Sequence, residues 1–157
     1  MVAYRICRES DPSKAFSGQG ARNWGGRWNS PGIAVVYTAG ERSLAMLEVL
    51  VHLKGVLSTG AGPLLTPYHL IQISFASELL EEIRPEALPA GWNAEPATHV
   101  SQSLGDAWAI SARSPILAVP SVIIPEERNY ILNPNHPRFK EIRIGETRPC
   151  AFDPRLF

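Results

Sequence analysis

Hydrophobic and polar positions follow one another in short blocks along this chain, and the period of each block predicts an element. Val2, Tyr4 and Ile6 fall on one side of an alternating segment with Arg5 on the other, which predicts a strand over Val2–Cys7. Ser10–Asn23 is polar and glycine-bearing and reads as a loop. Ala34–Thr38 is a short apolar run with β-branched residues and predicts a buried strand. Arg42–Leu53 predicts a helix of about three turns, apolar almost all round through Leu44, Met46, Leu47, Val49, Leu50, Val51 and Leu53. Such a helix is buried on more than one face. His69–Phe75 alternates again, with Ile71, Ile73 and Phe75 opposite Leu70, Gln72 and Ser74, the pattern of a half-buried strand.

Further on, Pro85–Pro96 reads as a turn-rich connection around Trp92, and Thr98–Ala112 as a second helix. Ile116–Val119 and Val122–Ile124 read as strand pieces on either side of Pro120-Ser121. Tyr130–Leu132 and Glu141–Ile144 are further short strands, with the prolines at 134 and 137 breaking the pattern between them. No regular strand–helix–strand alternation emerges. The expected fold class is therefore α+β with a mixed sheet rather than a doubly wound one.

Composition narrows the function. The 157 residues suit one domain, 1–157, with a real core, and the 14 prolines and 12 glycines spread through it suit many short elements joined by turns. Lys+Arg 15 against Asp+Glu 15 gives a net charge of +0, which argues against a general nucleic-acid surface and leaves little self-repulsion against a partner. The 2 cysteines, Cys7 and Cys150, and the histidines at 52, 69, 99 and 136 show no metal-ligand spacing, so no metal site is expected. There is no secretory h-region at the start, and no apolar run reaches the roughly 18 residues of a membrane span. A cytoplasmic protein with free thiols and no membrane contact is the expectation.

The candidate chemistry lies in Gly25-Gly26-Arg27-Trp28-Asn29, then Val35-Val36-Tyr37, then Met46-Leu47-Glu48-Val49-Leu50. An arginine clamps phosphate through paired hydrogen bonds. A tyrosine stacks on a flat ring. A glutamate in an apolar helix steers a developing positive charge, and it needs a partner or a water-filled cleft because a buried, unpaired carboxylate is costly. Together they suit a nucleotide with a leaving aromatic base. Plainer roles stand beside these. Arg27 pairs with Glu48, Tyr37 is a core residue with a satisfied hydroxyl, Arg5 is a surface charge, and Ser121 after Pro120 is a turn residue. The four tryptophans are core or rim, although Trp28 beside Arg27 is also placed to line a pocket. Asn129 and Asn133 fix the serine segment or cap turns. Gly18-Gln19-Gly20 is too short for a dinucleotide fingerprint.

Gly20-Ala21-Arg22-Asn23-Trp24-Gly25-Gly26-Arg27-Trp28-Asn29-Ser30-Pro31 resembles the signature loop of RES-domain toxins, a family named for arginine, glutamate and serine residues. Leu47-Glu48-Val49-Leu50-Val51-His52 is similar to its glutamate helix. Val119-Pro120-Ser121, with Asn129-Tyr130 and Leu132-Asn133-Pro134, is similar to its serine segment, and Asp153-Pro154-Arg155-Leu156-Phe157 to its ending. The match covers essentially the whole chain in order.

The resemblance implies a bent, split β core with flanking helices, like that of ADP-ribosyltransferases. It implies the toxin of a type II toxin–antitoxin pair that degrades NAD by hydrolysis or phosphorolysis. The alternatives are an ADP-ribosyltransferase acting on a cellular protein and a catalytically inactive antitoxin-binding module. NAD is then the substrate, with no cofactor. The partner is a cognate Xre-like antitoxin, and DNA is bound only through that complex. For such a cleavage the expected roles are that Glu48 meets the ribose and its developing charge, Arg5 and Arg27 hold phosphates or ribose, and Trp28, beside Arg27, lines the pocket. Tyr37 stacks on nicotinamide or packs beside the ribose. Ser121 bonds a substrate hydroxyl or aligns Glu48. No Gly-x-Ser-x-Gly elbow surrounds Ser121, so it is not read as a nucleophile.

Overall fold

The computed structural model describes residues 1–57 and 67–156; Phe157, in the terminal motif, lies outside them. A mixed seven-stranded sheet carries the molecule, in the order β4-β5-β6-β2-β1-β3-β7. Its strands are β1 (Val2–Cys7), β2 (Val36–Ala39), β3 (Tyr68–Ser74), β4 (Leu80–Glu82), β5 (Ile116–Pro120), β6 (Arg128–Leu132) and β7 (Arg143–Cys150). Among the described residues four α-helices accompany it: α1 (Pro12–Ala15), α2 (Gln19–Trp24), α3 (Arg42–Leu57) and α4 (His99–Ser111). Among the described residues only the β4–β5 pairing is parallel. The α+β expectation holds.

The sheet is nearly cut in two at its middle. β1 pairs with β3 along its whole length, from Val2↔Ser74 to Cys7↔His69, but shares with β2 the single register Tyr4↔Ala39. Beyond that pair the strands part, and Arg5 spans the gap by donating from Nη1 to the Tyr37 carbonyl at 2.8 Å. Helix α3 packs on both strands there, burying Leu44, Ala45 and Leu53 with Ile6, Ala39 and Phe152. The opposite flank of β2 meets a second cluster of Trp28, Val35, Trp108, Leu117, Val119 and Ile131. A third, with Phe16, Ile71, Ile73 and Phe75, fills the remaining space.

Several expected elements are corrected. The stretch 10–23 is not loop throughout but holds α1 and α2. Asp11 caps α1 by accepting from the Ser13 amide at 2.9 Å, and Pro12 follows at the first helical position. The piece 122–124 is not a strand. Ser121 Oγ accepts from the amides of Ile123 and Ile124, at 3.0 and 3.2 Å, and curls the chain into a loop that returns as β6. The piece 141–144 is largely replaced, because a 3₁₀ turn takes Pro137–Glu141 and β7 runs on to Cys150. β7 is an exposed edge strand rich in charge, which hides the two-residue period. β4 is three residues long and carries no readable period.

Helix α4 forms where expected, with Thr98 as its N-cap and Ala112 at φ 47 closing it. Its Gly105 is required by packing, since a Cβ there would lie 1.8 Å from the Trp28 carbonyl oxygen. Helix α3 corrects one detail: Val51 is 53% exposed. The helix is apolar all round because one face packs on the sheet while another walls a cleft.

Candidate active site

The turn 25–29 is built by close approach. Gly25 has φ 72, and a Cβ on Gly26 would come within 2.5 Å of the Tyr37 hydroxyl. That hydroxyl accepts from the Trp28 amide at 3.0 Å and donates to Asn29 Oδ1 at 2.7 Å. Asn29, fully buried, returns its amide hydrogens to the carbonyls of Ala21 and Ile33, each at 2.9 Å. Burial drives the Tyr37 phenol well above its ordinary value, so it stays neutral. Tyr37 therefore staples the turn by its hydroxyl, while the residue as a whole lines the cleft. The sequence reading missed Asn29, whose only signal was its place in the turn motif.

Arg27 does not pair with Glu48. Its Nη1 donates to the carbonyls of Trp92 and Ala94, at 3.2 and 2.8 Å, and its Nη2 meets Glu95 Oε2 at 2.9 Å. The guanidinium thus pins the segment 92–95, where Trp92 stacks on Trp28 with ring centroids 5.9 Å apart. Trp28 itself is 2% exposed, and its ring belongs to the core.

Arg5 is not a surface charge. Burial pulls its guanidinium below the ordinary value, and its Nε is buried with no hydrogen-bond partner among the described residues. Beside it lies a small recess of about 80 Å³ lined also by Lys14, Gly18, Gln19 and Tyr37.

Glu48 projects from α3 toward the ends of β5 and β6. Ser121 Oγ donates to its Oε1 at 3.1 Å, and Asn129 Nδ2 donates to the same oxygen. Ser121 is fully buried, and its acceptor capacity goes to the Ile123 and Ile124 amides. Of the two roles expected for Ser121, the geometry supplies alignment of Glu48. One turn further along α3, His52 Nδ1 meets the Glu48 carbonyl at 2.6 Å. A carbonyl only accepts, so Nδ1 carries the proton. Asn133, by contrast, holds a turn: it donates to the Ala109 carbonyl and accepts from the Asn135 amide.

These residues meet around one cleft of about 890 Å³. Tyr4 and Arg5 enter from β1, Tyr37 from β2, Glu48 and His52 from α3, Asn129 from β6, and Arg27 with Glu95 from the loops. The volume falls within the roughly 300–1,000 Å³ of small-molecule sites. Ser121 stands behind the wall. Among the described residues no group of three or more His, Cys, Asp or Glu is placed to hold a metal ion, and no helix is long and apolar enough to cross a membrane.

A split mixed sheet with a carboxylate on an apolar helix, two arginines and a tyrosine around one open cleft describes an α+β domain with a pocket of small-molecule size. Comparison with known proteins carries this further. The RES domain family model matches residues 2–153, and the chain belongs to that family. It is 46% identical over 158 residues to a "Prs ADP-ribosylating toxin" of Sphingobium sp., covering 98% of this chain and 94% of that protein. It is 36% identical to a "Toxin Res" of Yersinia enterocolitica, covering 99% of each. It is 39% identical to a "Toxin Res" of Photorhabdus laumondii, covering 99% of this chain and 97% of that protein. The chain is thus a RES toxin by family. Its fold matches a chain of the crystal structure of the M. tuberculosis MbcT–MbcA toxin–antitoxin complex with TM-score 0.76 and 21% identity, over 96% of this chain and 84% of that one.

Proposed function

We propose that this chain cleaves the nicotinamide–ribose bond of NAD and acts as the toxin of a toxin–antitoxin pair. The observation that carries the reading is Glu48: a carboxylate on a cleft wall, held by two neutral donors rather than by a cation. Its charge is left for the substrate. When the glycosidic bond breaks, its electron pair moves to the pyridinium nitrogen and nicotinamide leaves neutral. Positive charge then develops on the ribose, as in glycoside hydrolysis. A fixed carboxylate favours that state over the ground state.

The other side chains divide the remaining work. Arg5, half-buried and with its Nε lacking a partner among the described residues, attracts the pyrophosphate. Arg27 keeps part of its donor fork for the same anion while it holds the segment 92–95. The Tyr37 ring stacks on nicotinamide or packs beside the ribose. Trp28 belongs to the lining of the cleft while it packs in the core. NAD brings its own leaving group, so no cofactor is required.

Water or phosphate is the acceptor in this reading. A second reading, transfer of ADP-ribose to a protein, is favoured by the name of the Sphingobium relative. The experiment incubates purified chain with NAD carrying labelled ADP-ribose, with and without phosphate. Free ADP-ribose supports hydrolysis, phosphate-dependent ADP-ribose-1-phosphate supports phosphorolysis, and label on protein supports the second reading. An intact NAD pool under all conditions overturns both.

The partner is an Xre-like antitoxin, in keeping with the toxin–antitoxin complex that shares the fold. That partner carries the DNA binding, and the pair works in the cytoplasm, where NAD is available. Tight specific promoter binding by this chain alone would contradict that division of labour.

A further inference from the structure

We infer that Asn129 is a positioning residue for Glu48, fixing Oε1 so that Oε2 is the oxygen offered to the substrate; this rests on the reading of Glu48 above. Two donors from different elements converge on Oε1: the Ser121 hydroxyl at the end of β5 and the Asn129 amide on β6. Among the described residues none donates to Oε2. A carboxylate oxygen only accepts, so the edge of Asn129 turned toward Glu48 is its NH₂. Its Oδ1 then faces the other way, where it is buried with no hydrogen-bond partner among the described residues.

That orphan acceptor separates a positioning role from a structural one. A buried polar atom left unpaired costs stability. An apolar residue at 129 would remove the cost, and Glu48 would keep Ser121 and the solvent of the cleft. In this inference the Asn129 side chain serves the carboxylate rather than the fold. Asn129 also sits on an interior strand of the sheet, with Ala39 of β2 on one side and Val119 of β5 on the other. Its backbone is fixed, and the amide delivers that rigidity to Glu48 on a mobile side-chain stem.

The test is Asn129→Leu beside Asn129→Ser, which keeps a short donor. In Asn129→Leu, kcat for NAD is expected to fall on the order of 100-fold, the scale of a misplaced catalytic group, with KM little changed and Tm not lowered. Asn129→Ser recovers part of kcat. A fall in Tm that accounts for the lost activity, or a native kcat, overturns the role. One readout needs no turnover. The Asn129 side-chain amide resonances are expected to move in Glu48→Gln, and their failure to move overturns the clamp itself. If the native chain consumes no NAD while those resonances move, the NAD reading fails and the clamp stands.

Discussion

The Ser121 hydroxyl reaches Glu48 Oε1 across 3.1 Å and across 73 positions of sequence, and it spends its acceptor capacity on two amides of the loop that follows. One hydroxyl therefore orders both the carboxylate and the segment beside it. Ser121→Ala removes three hydrogen bonds at once. We expect kcat to fall with a loss of about 1–3 kcal/mol in stability, the cost of stranded buried groups, measured by NAD turnover and denaturant unfolding. Undiminished stability would mean that the loop holds itself.

Arg27 ties two carbonyls and Glu95 to the turn 25–29. Arg27→Ala is expected to raise KM and to speed limited proteolysis within the segment 92–95. Arg27→Lys should resemble it, because one ammonium cannot reproduce a planar fork. Native KM in the lysine variant would show that charge alone suffices.

Tyr37 gives a pH dependence. Its folded-state pKa is raised by burial above the ordinary phenol value of about 10. The unfolded chain therefore loses this proton first. The stabilisation is complete below about pH 10 and is lost as pH rises through the folded-state value. Denaturant midpoints should fall more steeply above pH 10 in the native chain than in Tyr37→Phe. At neutral pH that variant strands the Trp28 amide and Asn29 Oδ1, at a cost of about 1–3 kcal/mol. Parallel alkaline profiles would contradict the buried phenol.

Gly105→Ala would place a methyl 1.8 Å from the Trp28 carbonyl oxygen. Overpacking costs typically 1–3 kcal/mol, and here the obstacle is backbone. A loss of about 3 kcal/mol, roughly 6–12 °C in Tm for a chain of this size, is the expected calorimetric result. An unshifted Tm would show that α4 moves away freely.

Much of this frame was readable from local pattern. β1 and α4 stand where the pattern of apolar and polar positions placed them, and Glu48 was singled out because an apolar helix offered it no local partner. What escaped the pattern is long-range. That Glu48 finds Ser121 and Asn129, and Arg27 finds Glu95, is set by strand order, which a single sequence does not display. Arg5 looked like a surface charge because alternation tells which side a residue is on, not that β1 and β2 part beneath it. β7 escaped because an edge strand needs no apolar face. The loop 121–127 imitated a strand because its isoleucines line the cleft and pack on the core rather than extend the sheet.

Glu48, in the proposed reaction, stabilises the positive charge formed when the nicotinamide–ribose bond breaks. The direct measurement is nicotinamide release from NAD by the purified chain and by Glu48→Gln, with NAD affinity measured alongside. Release by the native chain is expected, with a loss of at least about 100-fold in kcat for the variant and NAD affinity nearly retained. Equal turnover by a folded Glu48→Gln chain, or no release by the native one, would contradict it.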